Sequence, residues 1–357
     1  VREIEQYARQ NLTDVASTAS LRVYVSEWEN GKRAISDRYA GILRKLLGVT
    51  DAELRGVTTG QAPPMAGGYD ELLTRIDSAT SISESMVTAF NAQTELLRTM
   101  DRQMGAAGLV DQMTGHLDAL EEALNFAVLP SARRPVALAL AGASTLAAWQ
   151  AIDSGAVERA WRHYELAKRA ARDAEAPMYL AHAMGEQAYV LCEAGRPALG
   201  VELVRDAQNS LGRNGSPRLR AWLHATEAEL CAHAEMVDDC RRALERAQEC
   251  IPDGPEDRDP DMLSIFLNGS HLARWQGNVL ALLGDEGAVK SLYDALKVAD
   301  PTFVRARGGM HVDLAQAHLA RAEYDDAQTH LRQARLLASR TGSVRQRRRV
   351  DLLSERL

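Results

Sequence analysis

The chain has 357 residues and a formal net charge of −7, with 46% hydrophobic, 25% charged and only 5% aromatic residues. That balance excludes a disordered chain, and the length exceeds one ordinary core, so two domains or a small domain with an elongated array are expected. Alanine, leucine, arginine and glutamate dominate, which points to an all-α fold.

No apolar run approaches the roughly 20 residues that cross a bilayer, and no signal-peptide pattern stands out, so a cytoplasmic location is expected. The four cysteines, Cys192, Cys231, Cys240 and Cys250, lack a C-x-x-C spacing and fall inside helical patterns. They read as reduced packing thiols.

The first segment, "VREIEQYARQ", reads as helix. Residues 20–33, "SLRVYVSEWENGKR", begin with Ser20 as a candidate cap and end at Asn30-Gly31, a helix-stop pair. Leu21, Val25 and Trp28 recur at helical spacing on one apolar stripe, leaving Arg22, Val23, Ser26 and Glu27 on the other face. A second helix is expected from Ser36 to Gly48, packing through Tyr39, Ile42, Leu43, Leu46 and Leu47. "TDAEL", Thr50 to Leu54, starts a third with a threonine cap.

The string Val25, Ser26, Trp28, Glu29, Gly31, Arg33 resembles the V-S-x-W-E-x-G-x-R pattern that ends the recognition helix of phage-repressor-like (XRE-type) helix-turn-helix regulators. The resemblance covers residues 1–56 and implies a DNA-binding headpiece. It places Ser20 at the helix start and turns Arg22, Val23, Ser26 and Glu27 to base edges. Asn30, Lys32, Arg33 and Arg38 would hold the phosphate backbone. It also implies a further helix upstream of Val1. Between Ser20 and Lys45 the cations Arg22, Lys32, Arg33, Arg38, Arg44 and Lys45 outnumber Glu27, Glu29 and Asp37, so the local field is positive on an acidic chain.

"GVTTGQAPPMAGGYD", Gly56 to Asp70, is rich in glycine, proline and threonine and reads as a connector over 57–69. Connecting helices follow over 70–132. Arg98, Asp101 and Arg102 sit beside the Gly105 break as an expected salt-linked helix corner.

From Arg133 the sequence repeats a small, large, Ala pattern: Ala160, Tyr164, Ala167; Gly200, Val204, Ala207; Cys240, Leu244, Ala247; Ala288, Leu292, Ala295; Ala327, Leu331, Ala334. The offsets are 40, 40, 48 and 39 residues. Twelve residues before each first member lie Ala148, Ala188, Ala228, Gln276 and Ala315. Each unit therefore reads as a helical hairpin whose small residues let two helices approach closely. The array resembles tetratricopeptide repeats, stretched beyond their usual length, which implies a TPR-like α-solenoid over 133–342. Gly195, Gly212, Gly215, Gly284 and Gly342 are expected helix stops, and Pro177, Pro197, Pro217 and Pro301 helix starts. "PDGPEDRDPD" reads as an inserted acidic loop. A last helix over 343–357, with Arg345, Arg347, Arg348 and Arg349, reads as a solvated end cap.

The first helix of each hairpin would line a concave face. In this register that face holds Trp149, His182, Glu186, Tyr189, Trp222 and Glu229, then Asn268, His271, Trp275 and Asn278: aromatics amid amides and carboxylates, as a peptide or small-molecule groove requires. No phosphate loop, H-E-x-x-H or G-x-S-x-G is present, so no catalytic residue, metal ligand or cofactor is assigned. His311 and His318 lie two turns apart without a third ligand at useful spacing.

Headpiece plus array resembles helix-turn-helix/tetratricopeptide regulators, including peptide-sensing quorum regulators. The resemblance implies a homodimeric, non-enzymatic transcriptional regulator that binds a double-stranded DNA operator and answers to a peptide or small-molecule effector. The alternative is an interaction scaffold that captures another regulatory protein, its headpiece vestigial.

Overall fold

The computed structural model describes residues 1–10, 15–30, 32–47, 66–80, 83–212, 215–254, 256, 258–262 and 264–357. Among these the chain is all-helical, with seventeen helices and no strand. It divides into two compact units, Val1–Leu73 and Thr74–Leu357.

The first unit contains α1 (Arg2–Gln10), α2 (Thr18–Glu29), α3 (Asp37–Leu47) and the start of α4 (Ala66–Thr80). Its core is Ile4, Leu21, Tyr39 and Ile42, with Val25, Trp28, Leu43 and Leu46 packed around them. The Trp28 ring lies between Tyr24, at 6.1 Å, and Tyr39, at 5.1 Å. The Tyr39 hydroxyl accepts the Ala16 N–H at 2.9 Å, which ties the approach to α2 onto α3. The cap of α2 lies three residues before the expected Ser20. Ser17 is its cap, accepting the Ser20 N–H at 3.3 Å, and the Leu21 N–H bonds to the Ser17 carbonyl at 2.8 Å. The earlier serine satisfies donors that a cap at Ser20 would leave open. Gly31, Gly48, the "TDAEL" helix and the connector up to residue 65 lie outside the described residues; from Ala66 the expected connector is helix.

The second unit continues with α5 (Glu84–Met104) and α6 (Val110–Phe126). Five helical pairs follow: α7 (Pro130–Asp153) with α8 (Val157–Asp173), α9 (Pro177–Glu193) with α10 (Pro197–Leu211), α11 (Pro217–His233) with α12 (Val237–Cys250), α13 (Gly269–Leu282) with α14 (Ala288–Val298), and α15 (Val304–Ala320) with α16 (Tyr324–Thr341). α17 (Val344–Ser354) ends the chain. Small residues set the close approaches: Ala160, Ala167, Ala207, Cys240, Ala247, Ala288 and Ala327 are wholly buried, and a Cβ on Gly200 would stand 3.0 Å from the Ala188 carbonyl. In the fourth pair the small contact is Gly277 and not Gln276, which is exposed; a Cβ on Gly277 would meet Leu292 at 2.8 Å. Pro177, Pro197 and Pro217 open their helices, whereas Pro301 sits in the turn before α15.

Against the expectation of no membrane-length run, α7 is long and apolar enough by length and composition, but 78% of its most apolar window is buried within the protein. Its alanines make it the central core helix. All four cysteines are free thiols, and burial pushes Cys192 and Cys231 up to about 12.

The final helices return onto the first ones. Ser343, the cap of α17, donates to Asp153 on α7 at 2.6 Å; Arg345 donates to Glu193 on α9 at 2.6 Å; Arg305 on α15 meets Asp101 on α5 at 2.6 Å. The array is thus closed by side-chain bridges and is not an open groove.

On α15 and α16, His330 is bonded on both ring nitrogens, to His311 at 2.9 Å and to the Tyr293 hydroxyl at 2.8 Å, and stacks on His318. Burial, then the neighbouring His311 and His318, pulls His330 down to about 4. Its folded value lies below the ordinary 6.5, so its stabilising share is complete above 6.5 and is lost as pH falls toward 4, with a limiting slope of about 1.4 kcal/mol per pH unit. Urea unfolding at pH 7, 5.5 and 4.5 checks this. His330→Asn should flatten the decline, and an unchanged decline in the variant would contradict the assignment.

Candidate functional site

Each unit presents a candidate surface. In the first, burying Leu21 turns Arg22, Val23 and Ser26 outward; Val23 is 53% exposed. Ser20 lies half-buried in the first turn of α2, and Lys32 and Arg38 are exposed. Arg33 and Glu27 bond to each other at 3.2 Å, with the Arg33 guanidinium 3.8 Å over Tyr24, so these two expected contact residues form one exposed clasp. Asn30 is occupied as the C-cap of α2, its side-chain amide donating to the Ser26 carbonyl at 2.7 Å. The face of α2 opposite Leu21 thus presents an aliphatic side chain and a hydroxyl, with cations flanking it.

In the second unit, a cavity of ≈ 310 Å³ opens among the inward faces of the helices. Nine of the ten residues expected on the inner wall line it: Trp149 from α7; His182, Glu186 and Tyr189 from α9; Trp222 and Glu229 from α11; His271, Trp275 and Asn278 from α13. Asn268 does not. It caps α13, accepting the His271 N–H at 3.0 Å.

The wall is a bonded lattice of rings and acids. Tyr189 and the Trp275 indole N–H both donate to the Glu229 carboxylate, at 2.7 and 2.6 Å. Trp149 meets Tyr189 edge-on at 5.8 Å, and Trp222 meets His182 and Trp275 edge-on at 4.9 and 6.2 Å. Burial alone would raise Glu229. His233 and Arg345, with the two donors, outweigh it and hold the carboxyl below its ordinary value. Asp313 joins Asn278 at 2.9 Å and Arg349 at 2.7 Å.

No protein-family model matches the chain, and no curated protein matches it. Function therefore rests on the sites themselves.

The cavity also holds residues that periodicity assigned elsewhere. Arg98, Asp101 and Arg102 from α5 form part of its wall, where the expected salt links involve Arg98 with Glu95 at 3.0 Å and Asp101 with Arg305 at 2.6 Å. Arg345 and Arg349 of α17 face the cavity as well, so that helix is no solvated end cap; of its four arginines only Arg347 and Arg348 are exposed. Phe266 comes from the segment that follows the acidic insertion, where Met262, Ile265 and Leu267 are buried. Arg218 on α11 anchors both by donating to the carbonyls of Glu256 and Leu267.

Elsewhere, His318, Glu323 and Asp326 bring potential ligand atoms within 4.8 Å. Glu323 already bridges His318 at 2.7 Å and Arg321 at 2.8 Å, which accounts for the cluster as an ion-paired turn.

Proposed function

We propose that the protein is a DNA-binding transcriptional regulator in which the exposed face of α2 reads an operator and the cavity of the helical array senses a small-molecule effector. The observation that supports it most is the gathering of aromatic and ionisable side chains from α5, α7, α9, α11, α13, α15 and α17 around one cavity. Core packing alone has no use for so many charged groups at one place. Its ≈ 310 Å³ lies at the small end of ligand pockets, about 300–1,000 Å³, and favours a metabolite-sized effector over a peptide. In this reading the array is a TPR-like solenoid acting as a homodimer, because two-fold operators need two headpieces. An effector that binds one arrangement of the array better shifts the population toward it, by no more than its differential affinity.

Fluorescence anisotropy with duplex DNA at a series of salt concentrations tests the DNA half. Log affinity should fall linearly with log salt. Lys32→Ala should reduce that slope by about 1 and weaken all sequences alike. Arg22→Ala should cost about 1–3 kcal/mol on a selected site and far less on random duplex. Salt-independent or undetectable binding by the wild-type chain would contradict the reading.

A further inference from the structure

Direct ion pairing around the cavity is uneven. Every carboxylate facing it is already engaged. Asp101 pairs with Arg305 at 2.6 Å, and Asp153 accepts from Ser343 at 2.6 Å with Arg305 at 3.9 Å. Glu186 meets Tyr164 at 3.1 Å and His182 at 3.4 Å. Glu229 is taken by Tyr189 and Trp275, and Asp313 by Arg349 and Asn278. Four of the six lining arginines have their acid: Arg98, Arg305, Arg345 and Arg349. Arg102 and Arg274 form no ion pair with a carboxylate among the described residues.

These two cations are half-buried. Burial, then the nearby Arg98, pulls Arg102 down to about 10, and burial likewise lowers Arg274. Arg102 lies over Phe266 at 4.4 Å and Phe303 at 5.7 Å, and Arg274 stands 5.9 Å from the Trp275 ring. An aromatic face offsets less than the desolvation of a guanidinium, so a counter-charge is still called for. On the wall of the same cavity the Ser264 hydroxyl and the Asn278 carbonyl oxygen are buried with no hydrogen-bond partner, Ser264 free to donate and Asn278 to accept.

We propose that the cavity binds a small aromatic organic anion, its acidic group held by Arg102 and Arg274 and its ring laid against the tryptophan and phenylalanine wall. The proposal rests on reading this cavity as the effector site. A cationic ligand would face the unmatched arginines, and a neutral one would leave them without a partner.

The test uses the full chain and three probes with one aromatic body: indole-3-acetate, indole-3-acetamide and tryptamine. Calorimetry should show the carboxylate binding about 10–100-fold more tightly than the amide, with tryptamine weakest. Arg102→Met and Arg274→Met should each remove that preference. Without any probe, Arg274→Met should raise the thermal unfolding midpoint, since it deletes a half-buried charge that has no direct ion pair. Equal or absent binding of the carboxylate relative to its amide overturns the proposal, as does a lowered midpoint for Arg274→Met. Duplex-DNA affinity on the same samples separates this inference from the regulator reading. Charge-selective binding with unaltered DNA affinity keeps the anion site and removes the regulatory role; DNA binding lost in Arg22→Ala, with no anion preference, does the reverse.

Discussion

Replacing Arg305 with alanine should destabilise the Thr74–Leu357 unit by about 3–5 kcal/mol, the cost of leaving buried carboxylates without their counter-ion. Asp101 is 1% exposed and Asp153 4%, and Arg305 reaches both, at 2.6 and 3.9 Å. Even with that arginine in place, burial keeps the Asp101 carboxyl above its ordinary value, and Asp153 adds to the rise. The Arg305–Asp101 contact is close but poorly aligned, since both Asp101 oxygens and Arg305 Nη1 lack a directed hydrogen bond. The pair is therefore held by charge, and removing the cation leaves two acids near each other in a dry site. Chemical denaturation at neutral pH measures the loss. The double variant Arg305→Met/Asp101→Asn should lose less than the two single losses added together, because each single change strands a charge that the double removes.

Gly105→Ala should be of similar size. Gly105 ends α5 with φ +85°, a conformation that side chains with a Cβ rarely adopt, and an added Cβ would lie 1.9 Å from the Thr341 carbonyl oxygen at the end of α16. The strained backbone costs about 1–3 kcal/mol, and forcing two helix ends apart costs about as much again. Gly108, three residues on, is the control: a Cβ there meets nothing within 4 Å, so Gly108→Ala should leave stability nearly unchanged. Equal effects at the two positions would mean that the ends of α5 and α16 do not meet as described.

Both predictions concern the closure of the array, which is where the sequence was least legible. Hairpins can be read because small residues recur at about 40-residue offsets, and the same phase orders the inner wall: Trp149, Tyr189 and Glu229 are successive 40-residue steps. A period says which face of each helix turns inward. It does not say that the last helix will meet the first, so Arg305, Arg345 and Arg349 carried no signal beyond being arginines. Phe266 lies in an irregular segment with no period, just after the stretch read as an inserted acidic loop; the buried Met262, Ile265 and Leu267 are the apolar residues that mark it as packed. Gln276 lies one residue off because the fourth hairpin departs from the twelve-residue phase: Gly277, eleven residues before Ala288, is the smaller neighbour that fits against Leu292. Asn268 was placed on the wall by that same phase; its Asn-Gly-Ser context is that of a helix cap. In the first unit the apolar stripe of α2 follows from Leu21, Val25 and Trp28, whereas the choice between Ser17 and Ser20 as cap depends on where Tyr39 fixes Ala16.

The central claim, that α2 reads a DNA sequence, is tested most directly by selecting from a random duplex pool with the full chain at physiological salt. The account predicts enrichment of a two-fold-symmetric site, with half-sites about 10 base pairs or a multiple apart, and loss of that enrichment in Arg22→Ala. A pool that emerges without any enriched sequence, or an identical enriched site for the variant, would contradict it.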